Sequence, residues 1–84
     1  MDLLFTLIKE KDIRSIRSLI PNFASNYSGF INQFYEQAMM RVSGSPRMVI
    51  KILAENQKYA DTVPNMEIHL IDMLADMAIE VTWK

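Results

Sequence analysis

The chain contains no cysteine, which excludes a disulfide framework and a thiolate metal site. Its two glycines, Gly29 and Gly44, belong to no Walker-type or dinucleotide-type phosphate loop, so no nucleotide-binding cradle is present. A single histidine, His69, excludes a histidine pair for acid–base catalysis within one chain. No apolar run reaches the roughly 18 residues of a membrane span. We therefore expect no enzyme, cofactor, small-molecule ligand or membrane anchor.

The segment LLFTLI near the N-terminus is too short for the apolar region of a signal peptide and has no cationic region before it. The absence of cysteine is compatible with the cytosol. These two features predict a cytoplasmic protein.

Half of the 84 residues are hydrophobic, which is high for so short a chain. This length predicts one domain, residues 1–84, with a limited core that partners often supplement. The net charge of −1 is unevenly distributed, because residues 1–60 carry a net +3 and residues 61–84 a net −4. Positive and negative surfaces on one small domain favour head-to-tail contacts between copies, which close into a ring when the rotation permits.

Apolar residues at spacings of three and four predict five helices and no strand. The predicted ranges are 2–9, 13–25, 30–42, 46–60 and 66–83. Pro21 falls inside the second range, and we expect a kink or an early helix end there. The candidate N-terminal caps are Asp2, Asp12, Ser28, Ser45, and Asn65 or Thr62. The predicted fold class is all-α, a compact five-helix array.

The last predicted helix, Met66–Trp83, is apolar around most of its circumference. Such a helix must be surrounded, and we expect both its own domain and another chain to cover it. Met66, Met73 and Met77 are not all expected to face inward together with Leu70, Ile71 and Leu74, so part of the helix surface is left for a partner. Trp83 is either a lid on the core or an interface anchor.

Polar residues of this helix form one narrow stripe, made of Asn65, His69, Asp72, Asp76 and Glu80. A divalent cation is one interpretation, but a single helix leaves its coordination incomplete, and a solvated or cation-contacting stripe is favoured. The basic residues are scattered: Arg14, Arg17, Arg41, Arg47, Lys51 and Lys58. A solvated face or a protein contact is favoured over nucleic acid, because no aromatic residues interleave with them for base stacking.

The order of elements resembles a known family. The pattern K-x-K-D-I-x-x-I-R-x-L-I occupies Lys9–Ile20, and ILAENQKYADTVPNMEIHL occupies Ile52–Leu70. The phrases ILAE, YAD and NMEIHL in the second segment are similar to those of the C-terminal collar domain of sliding-clamp-loader ATPase subunits. The Trp-Lys ending and the Met-rich last helix are most similar to the loader ATPase subunits of T4-type bacteriophages.

The resemblance implies a role in DNA replication. In the family, collar domains from five subunits pack into a closed ring, while ATPase modules open the clamp and grip primer–template DNA. The present chain has no Walker A loop, no acidic Walker B motif and no arginine finger. The resemblance therefore implies a cut fragment, or a short product of an internal start, that keeps the oligomerising part.

The favoured interpretation is a non-enzymatic oligomerisation module of a phage clamp loader, acting in the host-cell cytoplasm. Its expected partners are further copies of itself, including a ring, and full-length loader subunits. The candidate interface residues are Ile68, Ile71, Asp72, Met73, Ala75, Asp76, Ile79 and Trp83, with Arg14 and Arg17. Two alternatives stay open: a small helical adaptor or regulator that binds another protein, and a DNA-binding domain that uses Arg14 and Arg17.

Overall fold

The computed structural model describes all 84 residues. It contains six α-helices and one 3-10 turn. The helices are α1 Asp2–Glu10, α2 Ile13–Leu19, α3 Pro21–Ala24, α4 Tyr27–Arg41, α5 Arg47–Tyr59 and α6 Met66–Glu80, and the 3-10 turn is Ala60–Thr62. The all-α prediction is confirmed. None of the helices combines the length and the apolar character needed to cross a bilayer.

Pro21 accounts for the sixth helix. It ends α2 at Leu19 and stands at the start of α3, where its missing N–H costs nothing. The backbone hydrogen bonds shift accordingly, with the Ile20 N–H donating to the Arg17 carbonyl at 3.3 Å. The expected early end of the second helix is confirmed, and the remainder of the predicted range forms a separate short helix.

Two predicted caps, Asp12 and Asn65, are observed. The Asp12 carboxylate accepts from the Ser15 N–H and from the Ser15 hydroxyl, and these hydrogen bonds lower the pKa of Asp12. The Ser45 hydroxyl accepts from the Arg47 N–H at 3.2 Å, but Ser45 lies one residue before the cap position of α5, which Pro46 takes. The Asn65 side chain accepts from the first free N–H groups of α6, so it and not Thr62 caps this helix.

Two further caps differ from the prediction. The helix α4 begins three residues earlier than expected, because Asn26 accepts from the Gly29 N–H at 3.2 Å and replaces Ser28 as the cap. Asp2 lies within the first turn of α1, and Met1 takes the cap position without a side-chain bond. An acidic residue in a first turn is still favourable, because it faces the positive end of the helix dipole.

The helix α6 lies at the centre of the fold and contacts α1, α2, α3 and α5. It contributes five side chains to a single core of 20 buried residues: Leu70, Met73, Leu74, Met77 and Ala78. Met66 and Ile71 pack partly buried against the same core. Met66 and Ile71 keep part of their surface exposed, so the six side chains are not all buried, as the sequence predicted.

Trp83 closes the core. The helix α6 ends at Glu80, earlier than predicted, and the extended residues that follow bring Trp83 into a β-bridge with Val42. The indole N–H donates to the Met77 carbonyl at 2.8 Å, and the ring stands edge-on to Phe5. Trp83 is 8% exposed, so it is a lid on the core and not an interface anchor.

Substituting Asn65→Ala should lower the free energy of unfolding by about 1 kcal/mol, because two N–H groups at the start of α6 lose their acceptor. Urea denaturation followed by circular dichroism measures this loss. Asn32→Ala, at an exposed position inside α4, is the matched control and should cost nothing, because alanine is the better helix former. Equal losses in both variants would contradict the capping role.

Candidate interaction surface

An apolar stripe runs along the outward face of α6. It consists of Ile68, Ile71, Ala75 and Ile79, whose spacings of three and four residues place them on one side of the helix. Ile68 and Ile79 are each 64% exposed, while Ile71 and Ala75 are half-buried. The structure therefore brings together the four predicted apolar interface residues of α6 that stay outside the core.

Two predicted interface residues are not on this surface. Met73 is 1% exposed and Trp83 is covered as described above, so both belong to the core. A charge introduced at Met73 would be buried without a partner and would destabilise the fold, and it would not report on an interface.

An acidic stripe lies beside the apolar one. Asp72, Asp76 and Glu80 follow each other at intervals of four residues and are all exposed. The chain has a single salt bridge, between Arg41 and Asp2, so none of these carboxylates is paired with a cation. Partial burial, and then the neighbouring carboxylates, raise the pKa of Asp76. The stripe is therefore a region of uncompensated negative charge.

A recess of about 200 Å³ separates the acidic stripe from α5. Its apolar lining comes from Ile52 and Met73, and Glu55 adds a third carboxylate to those of Asp72 and Asp76. The remaining lining residues are Asn56, Tyr59 and His69. Apolar surface beneath a carboxylate rim suits the long side chain of a lysine or an arginine, whose stem is apolar and whose head is charged.

His69 joins α6 to α5. Its Nε2 lies 3.0 Å from the Asn56 carbonyl, and because a carbonyl can only accept, this nitrogen carries the proton and donates it. The Tyr27 hydroxyl donates to the Asn56 side chain, which links α4 to the same point. Burial, with a smaller contribution from Asp61, raises the pKa of Tyr27. No three metal-binding side chains of the chain converge on a common point.

A basic stripe occupies the outward face of α5. Arg47, Lys51 and Lys58 are exposed at helical spacing, with Ala54 between the two lysines. Met48 and Ile50 flank the stripe, and they are 38% and 46% exposed. In the sequence these cations look like part of a scattered population, and the predicted interface did not include them. The signal available in the sequence was the helical spacing of these cations, four residues from Arg47 to Lys51 and seven from Lys51 to Lys58.

Arg14 and Arg17 are exposed on α2, the seven-residue helix that packs against α6. Neither forms a salt bridge, and the charge of Arg14 contributes to the lowered pKa of Asp12. Their part in an interface stays a prediction.

The sequence of the chain matches known proteins. The family model for the C-terminal domain of the sliding-clamp-loader large subunit matches residues 26–82, a range that contains α4, α5 and α6. The chain belongs to this family, as the sequence resemblance predicted.

Two relatives illustrate the extent of the match. The sliding-clamp-loader large subunit of Enterobacteria phage T4 is 34% identical over 80 residues, which cover 92% of this chain and 24% of that protein. The sliding-clamp-loader large subunit of Escherichia phage RB69 is 33% identical over 79 residues, covering 92% of this chain and 25% of that protein. The chain thus spans about a quarter of the length of either relative.

The acidic stripe makes stability depend on pH. Because the folded-state pKa of Asp76 is raised above 3.8, the folded chain takes up a proton before the unfolded chain does, and stability rises as the pH falls through that pKa. Asp76→Asn should therefore stabilise the dilute chain at neutral pH. The gain over wild type should shrink as the pH falls toward 3.8, as measured by thermal denaturation at a series of pH values.

Glu36→Gln, an exposed carboxylate-to-amide change on α4, is the control and should give no such pH-dependent gain. A variant Asp76→Asn that is no more stable than wild type at neutral pH would show that the carboxylate cluster exerts no repulsion.

Proposed function

We propose that this chain is a non-enzymatic oligomerisation module of a phage sliding-clamp loader. It associates with further copies of itself and with full-length large subunits in the cytoplasm of the infected host. Membership of the family of clamp-loader C-terminal domains supports this role over the adaptor and DNA-binding alternatives. The absence of nucleotide-binding motifs from the sequence supports a role without catalysis.

The observation that carries the proposal is the exposed apolar stripe on α6. The core has already taken one side of this helix, yet Ile68 and Ile79 remain 64% exposed on the other. Exposed apolar surface that is contiguous and bordered by polar residues is typical of a protein–protein contact. Its half-buried middle, at Ile71 and Ala75, allows a partner helix to approach closely.

Burial of the two exposed isoleucines alone does not offset the free-energy cost of association. Complete burial of an isoleucine contributes about 1.5–3 kcal/mol, and Ile68 and Ile79 are already partly covered. Their joint contribution of roughly 2–4 kcal/mol falls at or below the lower end of the ~4–15 kcal/mol that association costs. Stable assembly therefore requires further contacts around the stripe.

The mass of the purified chain, measured by light scattering after size exclusion over a range of concentrations, tests the proposal. We expect an oligomer whose mass rises with concentration. Ile68→Lys should raise the dissociation constant by about tenfold or more, because it places a charge in the apolar stripe.

Leu3→Lys is the matched control. Leu3 is 59% exposed, and both positions lie in the first turn of a helix, so the introduced cation meets the same end of the helix dipole in each variant. Equal weakening by both substitutions would argue against the α6 stripe. A wild-type chain that stays monomeric and fails to capture a full-length large subunit would contradict the proposed function.

A further inference from the structure

We infer that the surface of α6 receives the basic stripe of α5 from a second copy, with the two helices antiparallel. In this head-to-tail contact, Arg47 meets Glu80 and Lys51 meets Asp76 of the neighbouring copy. The inference rests on the proposed function, since it specifies how the oligomerisation module pairs with itself.

Charge is the first argument. The basic stripe of α5 and the acidic stripe of α6 each carry three charges, and none of the six is paired within the chain. The two helices pack against each other, yet their stripes face outward on different sides and leave each other's charges unmet. A second copy supplies the missing partner for each stripe, and such complementarity fixes register and excludes wrong pairings.

Spacing is the second argument. The basic stripe runs from Arg47 to Lys58 and the apolar stripe from Ile68 to Ile79, so each covers the same number of residues and about 16 Å of helix. Arg47 and Lys51 are four residues apart, as are Asp76 and Glu80. Two helices laid side by side can therefore satisfy both pairs at once.

The helix dipoles select the antiparallel orientation. Arg47 stands in the first turn of α5, and Glu80 stands in the last turn of α6. Each charge is at the end of its helix where the dipole disfavours it. Placing the start of α5 beside the end of α6 brings these two charges together and aligns the opposite ends of the dipoles. In the parallel orientation, Arg47 and Glu80 would lie at opposite ends of the contact.

Packing completes the contact. Ala54 stands in the middle of the basic stripe, where a small side chain lets the partner helix approach. The apolar stems of the lysines cover the stripe of Ile68 and Ile79, which supplies the burial that the isoleucines need. The recess beside Asp76 offers apolar lining and a carboxylate rim for the stem and head of Lys51.

The contact is heterologous, because α5 of one copy meets α6 of the next. Each copy keeps a free α5 on one side and a free α6 on the other, so the same contact can be repeated. Repetition closes into a ring when the rotation permits and otherwise continues as an open chain.

Charge reversal in trans tests the pairing. Lys51→Glu and Asp76→Lys should each raise the dissociation constant by about tenfold or more, because each places like charges opposite one another. An equimolar mixture of the two variants should recover assembly. In the mixture, the native Lys51 of one variant meets the native Asp76 of the other, and the two substituted residues meet with their signs exchanged.

Lys9→Glu is the matched control, because it makes the same change in charge at an exposed position on α1, outside every proposed interface residue. We expect it to leave the dissociation constant within about twofold of wild type, which is within roughly 0.5 kcal/mol. Circular dichroism of each variant checks that it is folded, and recovery in the mixture shows it independently.

The outcomes separate this inference from the proposed function. If wild type assembles and Ile68→Lys dissociates it, while Lys51→Glu and Asp76→Lys have no effect, the α5–α6 pairing is overturned and the oligomerisation module stands. If Lys9→Glu weakens assembly as much as Lys51→Glu, net charge governs assembly. If the mixture fails to recover, Lys51 and Asp76 do not meet. Either result overturns the pairing. A wild-type chain that stays monomeric overturns the pairing between copies, and it overturns the proposed function as well if it also fails to capture a full-length large subunit.

Discussion

The burial of α6 by α1, α2, α3 and α5 is the constraint that sets the rest of the fold. Leu70, Met73, Leu74 and Met77 are all 1% exposed or less. At about 1.5–3 kcal/mol for each such side chain, their burial is comparable to the entire stability of a small domain. The position of α6 therefore determines where these four helices pack, and α4 in turn packs against α3 and α5.

The burial of one side of α6 also defines the other side. Leu70, Leu74 and Met77 point toward the centre of the domain, and helical periodicity then places Ile68 and Ile79 outward. Trp83 fixes the end of the helix, because its indole N–H holds the Met77 carbonyl and its backbone pairs with Val42. The outward face is therefore presented on a helix that is held at both its flank and its end, as a recognition surface requires.

The uneven distribution of charge has a structural counterpart on these helices. The cations of α5 and the carboxylates of α6 lie on adjacent helices and remain unpaired in the isolated chain. Exposed charges of this kind add little to the stability of a monomer, but they steer association and fix its register. The apolar stripe of α6 and the basic stripe of α5 have the same length, and together they combine burial with specificity.

Local patterns along the chain were enough to predict the helical class, the break at Pro21, the caps at Asp12 and Asn65, and the central place of α6. These features depend on local geometry and on apolar spacing, which can be read from neighbouring residues. The family resemblance also came from such patterns, through the motifs in Ile52–Leu70.

Which apolar residues form the core was settled by tertiary packing alone. Met73 and Ile79 look equally apolar in the sequence, and their difference arises from the packing of α5 and α1–α3 around α6. Trp83 became a lid because the residues after Glu80 turn back to Val42, a contact between segments far apart in the chain. The cations of α5 became a stripe only when burial of Val49 and Leu53 set the helix rotation. Burial is a property of the assembled neighbours, so no local pattern could fix it.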